Sequence, residues 1–394
     1  MRLQIGLIEP KNMRIAMIGQ KGIPAAFGGI ERHVEALAVR LGRAGHDVRV
    51  YTRTWYAPAD RRYAPGVTAV ATPTIRTKHL DAIIHTFTST LHAVFAGTDI
   101  FHFHGVGPAL LAWLPRLLAP QSRVVVTFHC VDATHAKWGR FARLMLTLGE
   151  RAACRFPHVT IAVSKTLCRY IRETYGSEAL YLPNGVEEPP MQKQDLTKKF
   201  NLQKGGYVAM VSRLVRHKGA HHLIAAWKHL RARGLTAGKK LVIVGDSAFT
   251  DGYVKELRRA AAGQSDILFT GYLKGKALHQ MFANAYCIAH PSESEGLPIA
   301  VLEAMSFGKC VVASDIPENL EALGECGVKF KNGNARDLAR SLEFVLRRPT
   351  LARAKGAESR RHVLAHYRWD EIAKGVNWVY GGLFSTVRVA KKIA

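Results

Sequence analysis

At 394 residues and 43.5 kDa, with 48% hydrophobic and 22% charged residues, the chain is long enough for two cores. That composition excludes a disordered, collagen-like or disulfide-rich secreted protein. Its 56 Lys and Arg against 30 Asp and Glu give a formal charge of +26, spread over the chain (23 basic and 13 acidic residues up to Pro190, 33 and 17 beyond), so the excess is not a basic tail. Such a field favours anionic partners: nucleic acid, an anionic membrane surface or phosphorylated substrates.

In chain order the pattern is strand, loop, helix, repeated. MRIAMIG (13–19) reads as a strand, and IERHVEALAVRLGRAGH places Ile30, Val34, Leu37, Ala38 and Leu41 at helical spacing. Strands are predicted at 47–53, 100–105, 123–130, 159–164 and 179–186, with helices at 78–96, 107–118, 137–153 and 165–175 between them. The polar, basic stretch 187–206 contains two prolines and reads as a linker. Beyond it, strands at 207–214, 240–246, 266–272, 286–292 and 310–316 alternate with helices at 219–233, 252–262, 276–284, 298–307 and 335–347, and 350–382 is helical in pieces. This alternation predicts two α/β domains with parallel sheets covered on both faces and a cleft between them. Ligands collect at the strand C-termini of such sheets.

The six cysteines have no CxxC spacing, which predicts reduced core residues of a cytosolic protein. The N-terminal MRLQIGLIEPKN lacks an apolar signal core. The longest charge-free stretch, Ala82–Thr98, is broken by His85, Thr86, Thr88, Ser89, Thr90 and His92 and falls short of a spanning helix.

Three segments carry candidate chemistry. GQKGIPAAFGGIE (19–31) matches neither GxGxxG nor a P-loop, but its Gly28 and Gly29 stand just before a helix, where absent Cβ atoms and the helix N-terminus suit a phosphate. The plain alternative is a loop needing two flexible residues. VSRLVRHKG (211–219) places Arg213 at a strand end and Lys218 at a helix mouth; a guanidinium fork and an ammonium there can clamp a diphosphate, or be two solvated cations. HPSESEGLPIAVLEAMSFGK (290–309) puts Glu295 in a loop and Glu303 in the helix after Pro298. Paired carboxylates suit hydroxyl-rich ligands, and the Gly296–Leu297 backbone follows directly. Glu321 and Glu325 read as solvated face.

Taken together, MRIAMIGQKGIPAAFGGIERHVEALAVRL, VSRLVRHKG and PSESEGLPIAVLEAM resemble the retaining, nucleotide-sugar-dependent glycosyltransferases of family 4, with the two-Rossmann GT-B fold. The N-terminal half is similar to a rhamnosyltransferase-like subgroup of bacterial cell-surface polysaccharide enzymes, a likeness continued in RTKHLDAIIHTFTSTLHAVF, FHFHGVGPALLAWLPRLLAP, DATHAKWGRFA and YLPNGV. The E-x7-E pair joined to R-x4-K-G is the most specific part.

The resemblance implies an acceptor-binding domain over 13–186, the linker 187–206, a nucleotide-sugar domain over 207–365 and a C-terminal helix over 366–382 that packs back on the first domain. It implies that Gly28 and Gly29 approach the donor diphosphate, which Arg213 and Lys218 neutralise. Glu303 holds the ribose hydroxyls, and Glu295 with Gly296 and Leu297 meets the donor sugar. His129, ending the strand VVVTFH, points to the sugar. Catalytic work thus falls to His129, Glu295, Arg213 and Lys218, with no metal and no cofactor apart from the nucleoside-diphosphate sugar donor. The implied acceptor is a hydroxyl of a glycolipid or polysaccharide precursor. The charge of +26, the lack of a spanning segment and the basic amphipathic region 137–154 predict a cytoplasmic protein in peripheral contact with an anionic inner membrane face. In that region Phe141, Leu144, Leu148 and Ala152 form one side, with Lys137, Arg140, Arg143 and Arg151 around it. The alternative is that the apolar side packs on the sheet and the cations solvate its rim.

Where the subgroup reads glycine, leucine, aspartate, tryptophan after the histidine, this chain has Cys130, Val131, Asp132 and Ala133, which bears on acceptor fit. The likeness begins near Met13, leaving Met1 and Met13 as candidate starts. His102 and His104 alternate on one strand and read as a polar edge or structural hydrogen bonds, since zinc needs three converging ligands. No D-x-D occurs, so cations take the place of a metal–carboxylate clamp. Competing functions are a GT-B epimerase or phosphorylase, a nicotinamide oxidoreductase (disfavoured by the glycine spacing and by the lack of an acid in YTRTWY) and a basic nucleic-acid-binding protein (lacking an aromatic–basic platform).

Overall fold

The computed structural model describes residues 12–26, 28–57, 61–77, 80–131, 139–190, 200–247 and 250–385. It divides into two compact units, Met1–Pro183 with Trp369–Ala394, and Asn184–Arg368.

The first unit has eight strands: β1 (Arg14–Ile18), β2 (Asp47–Arg53), β3 (Arg61–Ala64), β4 (Val67–Thr72), β5 (Ile100–His104), β6 (Arg123–Phe128), β7 (Val159–Ala162) and β8 (Leu180–Tyr181). Their order is β3-β4-β2-β1-β5-β6-β7-β8, and every pair is parallel except β3 with β4. Near-continuous apolar runs fill the central strands because helices cover both faces; all five residues of β5 are buried. Helix starts are marked locally: Ser164 accepts from Leu167 N at 3.2 Å to open the helix Lys165–Tyr175.

The helix Trp369–Gly382 belongs to this unit although it follows the second in the chain. Ala373, Val376 and Tyr380 join the core of Ile15, Val34, Leu37 and Val125. Asp370 pairs with Arg40 at 2.7 Å, and Asn377 meets His46 at 2.7 Å.

The second unit is a six-stranded parallel sheet of β9 (Tyr207–Val211), β10 (Lys240–Val244), β11 (Ile267–Gly271), β12 (Cys287–His290), β13 (Cys310–Ser314) and β14 (Val328–Phe330), in the order β11-β10-β9-β12-β13-β14. Trp227, Leu223 and Leu230 of the helix Ala220–Ala232 and Leu338 and Leu342 of the helix Ala335–Leu346 pack into one core with the strands.

Several expectations change. The predicted helix 107–118 is two short pieces, Val106–Ala109 and Leu114–Leu118, because Pro115 has no amide to extend a turn and instead starts the second piece. Of the predicted strand 179–186, Leu180–Tyr181 pairs with β7, while Val186 forms an isolated parallel bridge with Arg368. Asn184 Nδ2 donates to Leu297 O at 2.8 Å and Val186 N to Tyr367 O at 2.7 Å, tying that stretch to the second unit. Of the linker, 191–199 lies outside the described residues. Cys287 and Cys310 are buried side by side on β12 and β13, whereas Cys130, Cys154, Cys168 and Cys326 are only half-buried; among the described residues no disulfide joins any of them. Among the described residues no helix is long and apolar enough to cross a membrane.

Candidate active site

In the second unit, the charged residues converge where β9 and β12 end. Lys218 Nζ donates to Glu295 Oε1 at 2.5 Å, and His290, the last residue of β12, meets the same oxygen through Nε2 at 2.9 Å. The side chains of Lys218, Glu295 and His290 are 14%, 9% and 3% exposed, so this is a nearly dry ionic cluster. Burial alone would raise the Glu295 carboxyl; the Lys218 charge and the His290 hydrogen bond outweigh it and hold the group well below the usual carboxylate range.

Two loops are locked together to build this cluster. Glu293 N donates to His217 O at 2.7 Å, Ser292 Oγ to His217 O at 3.2 Å, and Ser314 Oγ at the end of β13 to Ser292 O. Gly219 has φ 73°, and a Cβ there would lie 1.9 Å from Pro291 O, so only glycine lets the R-x4-K-G turn close on the HPS loop.

Arg213 stands exposed just beyond β9 and forms no ion pair with the described residues, whereas Lys218 is joined to Glu295. Gly296 and Leu297 are buried behind Glu295. Glu303 is half-buried on the helix Ile299–Ser306, which starts after Pro298 as the spacing predicts.

In the first unit, Gly28 caps the helix Gly29–Arg43 with φ 92°, and Gly29 is exposed. The loop ahead of them is held by that helix's own acids: Lys21 N donates to Glu31 Oε1 at 3.1 Å and Ala25 N to Glu35 Oε2 at 3.2 Å. Those two amides are therefore engaged with carboxylates.

His129 follows β6 and is buried within a histidine cluster. Its Nε2 lies 3.3 Å from His104 Nδ1, and its ring meets His33 edge-on at 4.8 Å between centroids. His102 binds Tyr380 OH at 2.6 Å and Thr127 Oγ1 at 2.7 Å. Burial pushes His102 down to about 3 and holds His104 and His129 well below the ordinary 6.5, with the neighbouring imidazoles adding to the effect. Cys130 and Val131 are half-buried; Ala133 lies outside the described residues.

Four participants escape a reading of the sequence. His290 had a signal, a histidine at a strand end like His129. Glu318, in the first turn of the helix Pro317–Leu323, is raised by burial and by the Glu295 charge. His33 and Tyr380 reach the cluster only through tertiary packing.

Residues 191–362 match the family described as Glycosyl transferases group 1, and residues 27–188 match Glycosyltransferase Family 4. The chain is a glycosyltransferase. It is 26% identical over 407 residues to a glycogen synthase of Mycobacterium tuberculosis, covering 93% of this chain and 94% of that protein. It is 29% identical over 378 residues to the GDP-mannose-dependent alpha-(1-6)-phosphatidylinositol monomannoside mannosyltransferase of the same organism, covering 89% and 94%. Among solved structures, sucrose-phosphate synthase from Thermosynechococcus elongatus matches with a TM-score of 0.80 at 21% identity over 95% of this chain and 99% of that one. The glycosyltransferase has the GT-B architecture of two parallel-sheet α/β domains. Its two family matches meet between residues 188 and 191, inside the stretch read as linker.

Proposed function

We propose that this glycosyltransferase moves a hexose or deoxyhexose from a nucleoside diphosphate to a hydroxyl of a glycolipid or cell-surface polysaccharide precursor, with retention of anomeric configuration. The observation that carries the reading is the dry Lys218–Glu295–His290 cluster, set at paired strand ends by the R-x4-K-G and HPS loops. Mannosyl transfer from GDP-mannose by the mycobacterial relative supports a nucleotide-sugar donor.

In this reading the second unit holds the donor. As the glycosidic bond breaks, the diphosphate gains negative charge and the anomeric carbon positive charge. Arg213 and Lys218 stabilise the former, and because Glu295 fixes the ammonium in advance, little reorganisation is needed in the transition state. Glu295, with the Gly296–Leu297 backbone, faces the sugar, and Glu303 accepts hydrogen bonds from the ribose hydroxyls. The first unit takes the acceptor: Gly28 and Gly29 approach the transfer site, and His129, neutral in its buried position, orients the sugar without serving as a general base. The acceptor attacks the face the phosphate leaves, and a phosphate oxygen takes its proton. No resident cofactor is required.

The enzyme works on the cytoplasmic membrane face. On the helix Arg140–Arg155, Phe141, Leu144 and Leu148 are 75%, 54% and 37% exposed, flanked by exposed Arg140, Arg143 and Arg151; Ala152, expected on the same stripe, is buried, and Lys137 lies outside the described residues. Each cation near an anionic bilayer contributes about 1 kcal/mol, screened by salt. Flotation is expected with anionic but not neutral vesicles, and equal recovery with both would remove this part.

Incubation with UDP-, GDP- and dTDP-sugars and lipid-diphosphate acceptors, with the product anomer read by NMR, tests the reaction. Retained configuration on a hydroxyl acceptor is expected. An inverted product, or transfer only to water or phosphate, contradicts it.

A further inference from the structure

His33 stands near the start of the helix Gly29–Arg43, His104 ends β5, and His129 follows β6. One ring nitrogen from each lies within 4.8 Å of those of the other two, and all three residues are buried. The 3.3 Å between His104 Nδ1 and His129 Nε2 is close to the edge of a nitrogen tetrahedron around an ion at about 2.0–2.1 Å. We propose that His33, His104 and His129 form a three-imidazole site for a divalent transition-metal ion of the zinc class, with water or hydroxide as fourth ligand. The site takes up His129, so an ion bound there and the contact of that ring with the donor sugar proposed above exclude one another.

The surroundings suit that role. His104 Nε2 lies 3.2 Å from Met17 Sδ, a weak acceptor, so the ring proton belongs on Nε2 and the Nδ1 lone pair faces the other two rings. His102 packs against His104 at 4.1 Å between centroids, but both its nitrogens are engaged by Tyr380 and Thr127, which leaves it out of the ligand set. With no carboxylate among the ligands, hydroxide in the fourth position offsets part of the ion's charge. Imidazole sets of this kind accept Zn2+ and Co2+. The other histidine-containing group among the described residues, His221, His222 and Glu293, is half-exposed to exposed and is accounted for by its own bonds: His222 to Glu293 at 2.8 Å and His221 to Tyr253 OH at 2.8 Å.

The competing account is a plain imidazole–imidazole hydrogen bond between His104 and His129. Chelator-treated full-length protein titrated with CoCl2 separates the two. One Co2+ per chain with the visible bands of a tetrahedral ion, displaced by ZnCl2, is expected. Affinity should fall roughly 100-fold or more in His33→Asn and His104→Gln, and about 10- to 100-fold in Met17→Leu, which keeps the core volume. The paired change His221→Ala with His222→Ala should leave the spectrum intact. No tetrahedral spectrum, a spectrum that survives His33→Asn, or one lost with His221 and His222 would overturn the site. Should His104→Gln fail to fold, His33→Asn and Met17→Leu decide it.

Discussion

The two units place polar groups at the ends of parallel strands, and they do so with opposite electrostatics. After β5 and β6 the first unit gathers neutral, buried imidazoles, and its glycine loop is tied by Glu31 and Glu35. After β9 and β12 the second unit gathers an ammonium, a carboxylate and a histidine in a dry ionic cluster, with the Arg213 guanidinium exposed at the β9 end. One sheet architecture thus supplies two chemical environments, a charged strand end and an uncharged one.

The contrast breaks most sharply at Lys218. Lys218→Met leaves Glu295 buried with only His290, and removing one partner of such a pair costs about 3–5 kcal/mol. Urea unfolding should show that loss in the second unit; an unchanged midpoint would mean the cluster is solvated. Next comes Gly219→Ala, where the positive φ and the contact with Pro291 O should cost about 1–3 kcal/mol, read by the same method.

Acid separates the units by threshold. Histidines whose folded pKa is lowered contribute stability that is present above their unfolded value of 6.5 and is lost as pH falls below it, at roughly 1.4 kcal/mol per pH unit for each of His102, His104 and His129. Glu295, a depressed carboxyl, contributes stability present above its unfolded value of 4.5 and lost only below that. Hydrogen exchange along a pH series should therefore show the first unit loosening first, and simultaneous loosening below 4.5 would contradict the assignment. The smallest effect is expected from Tyr380→Phe, which leaves His102 Nδ1 without its phenol and costs about 1–3 kcal/mol, at the low end if water enters.

Much of this was legible in the residues. β2 and the helix Lys165–Tyr175 fall where periodicity puts them, and E-x7-E with R-x4-K-G marked the loops that the structure joins through Lys218 and Glu295. The hairpin β3–β4 was missed although Pro65–Gly66 between two strand-forming runs is a turn signal. The convergence of His33 with His104 and His129 had no local signal at all: β5 and β6 are neighbours in the sheet, and His33, on the helix Gly29–Arg43 far away in sequence, meets the rings at their ends. His102 and His104 share one strand, but only His104 turns its ring to the other two, which spacing alone cannot distinguish.

The central claim is that the second unit's charged strand ends hold a nucleoside diphosphate. Calorimetric titration of UDP, GDP and dTDP into the intact enzyme, Arg213→Ala and Glu303→Gln tests it most directly. Loss of a charge-assisted hydrogen bond worth about 1.5–3 kcal/mol predicts affinity for the preferred nucleotide roughly 10- to 150-fold weaker in each variant. Wild-type affinity in a folded Arg213→Ala or Glu303→Gln enzyme would contradict it.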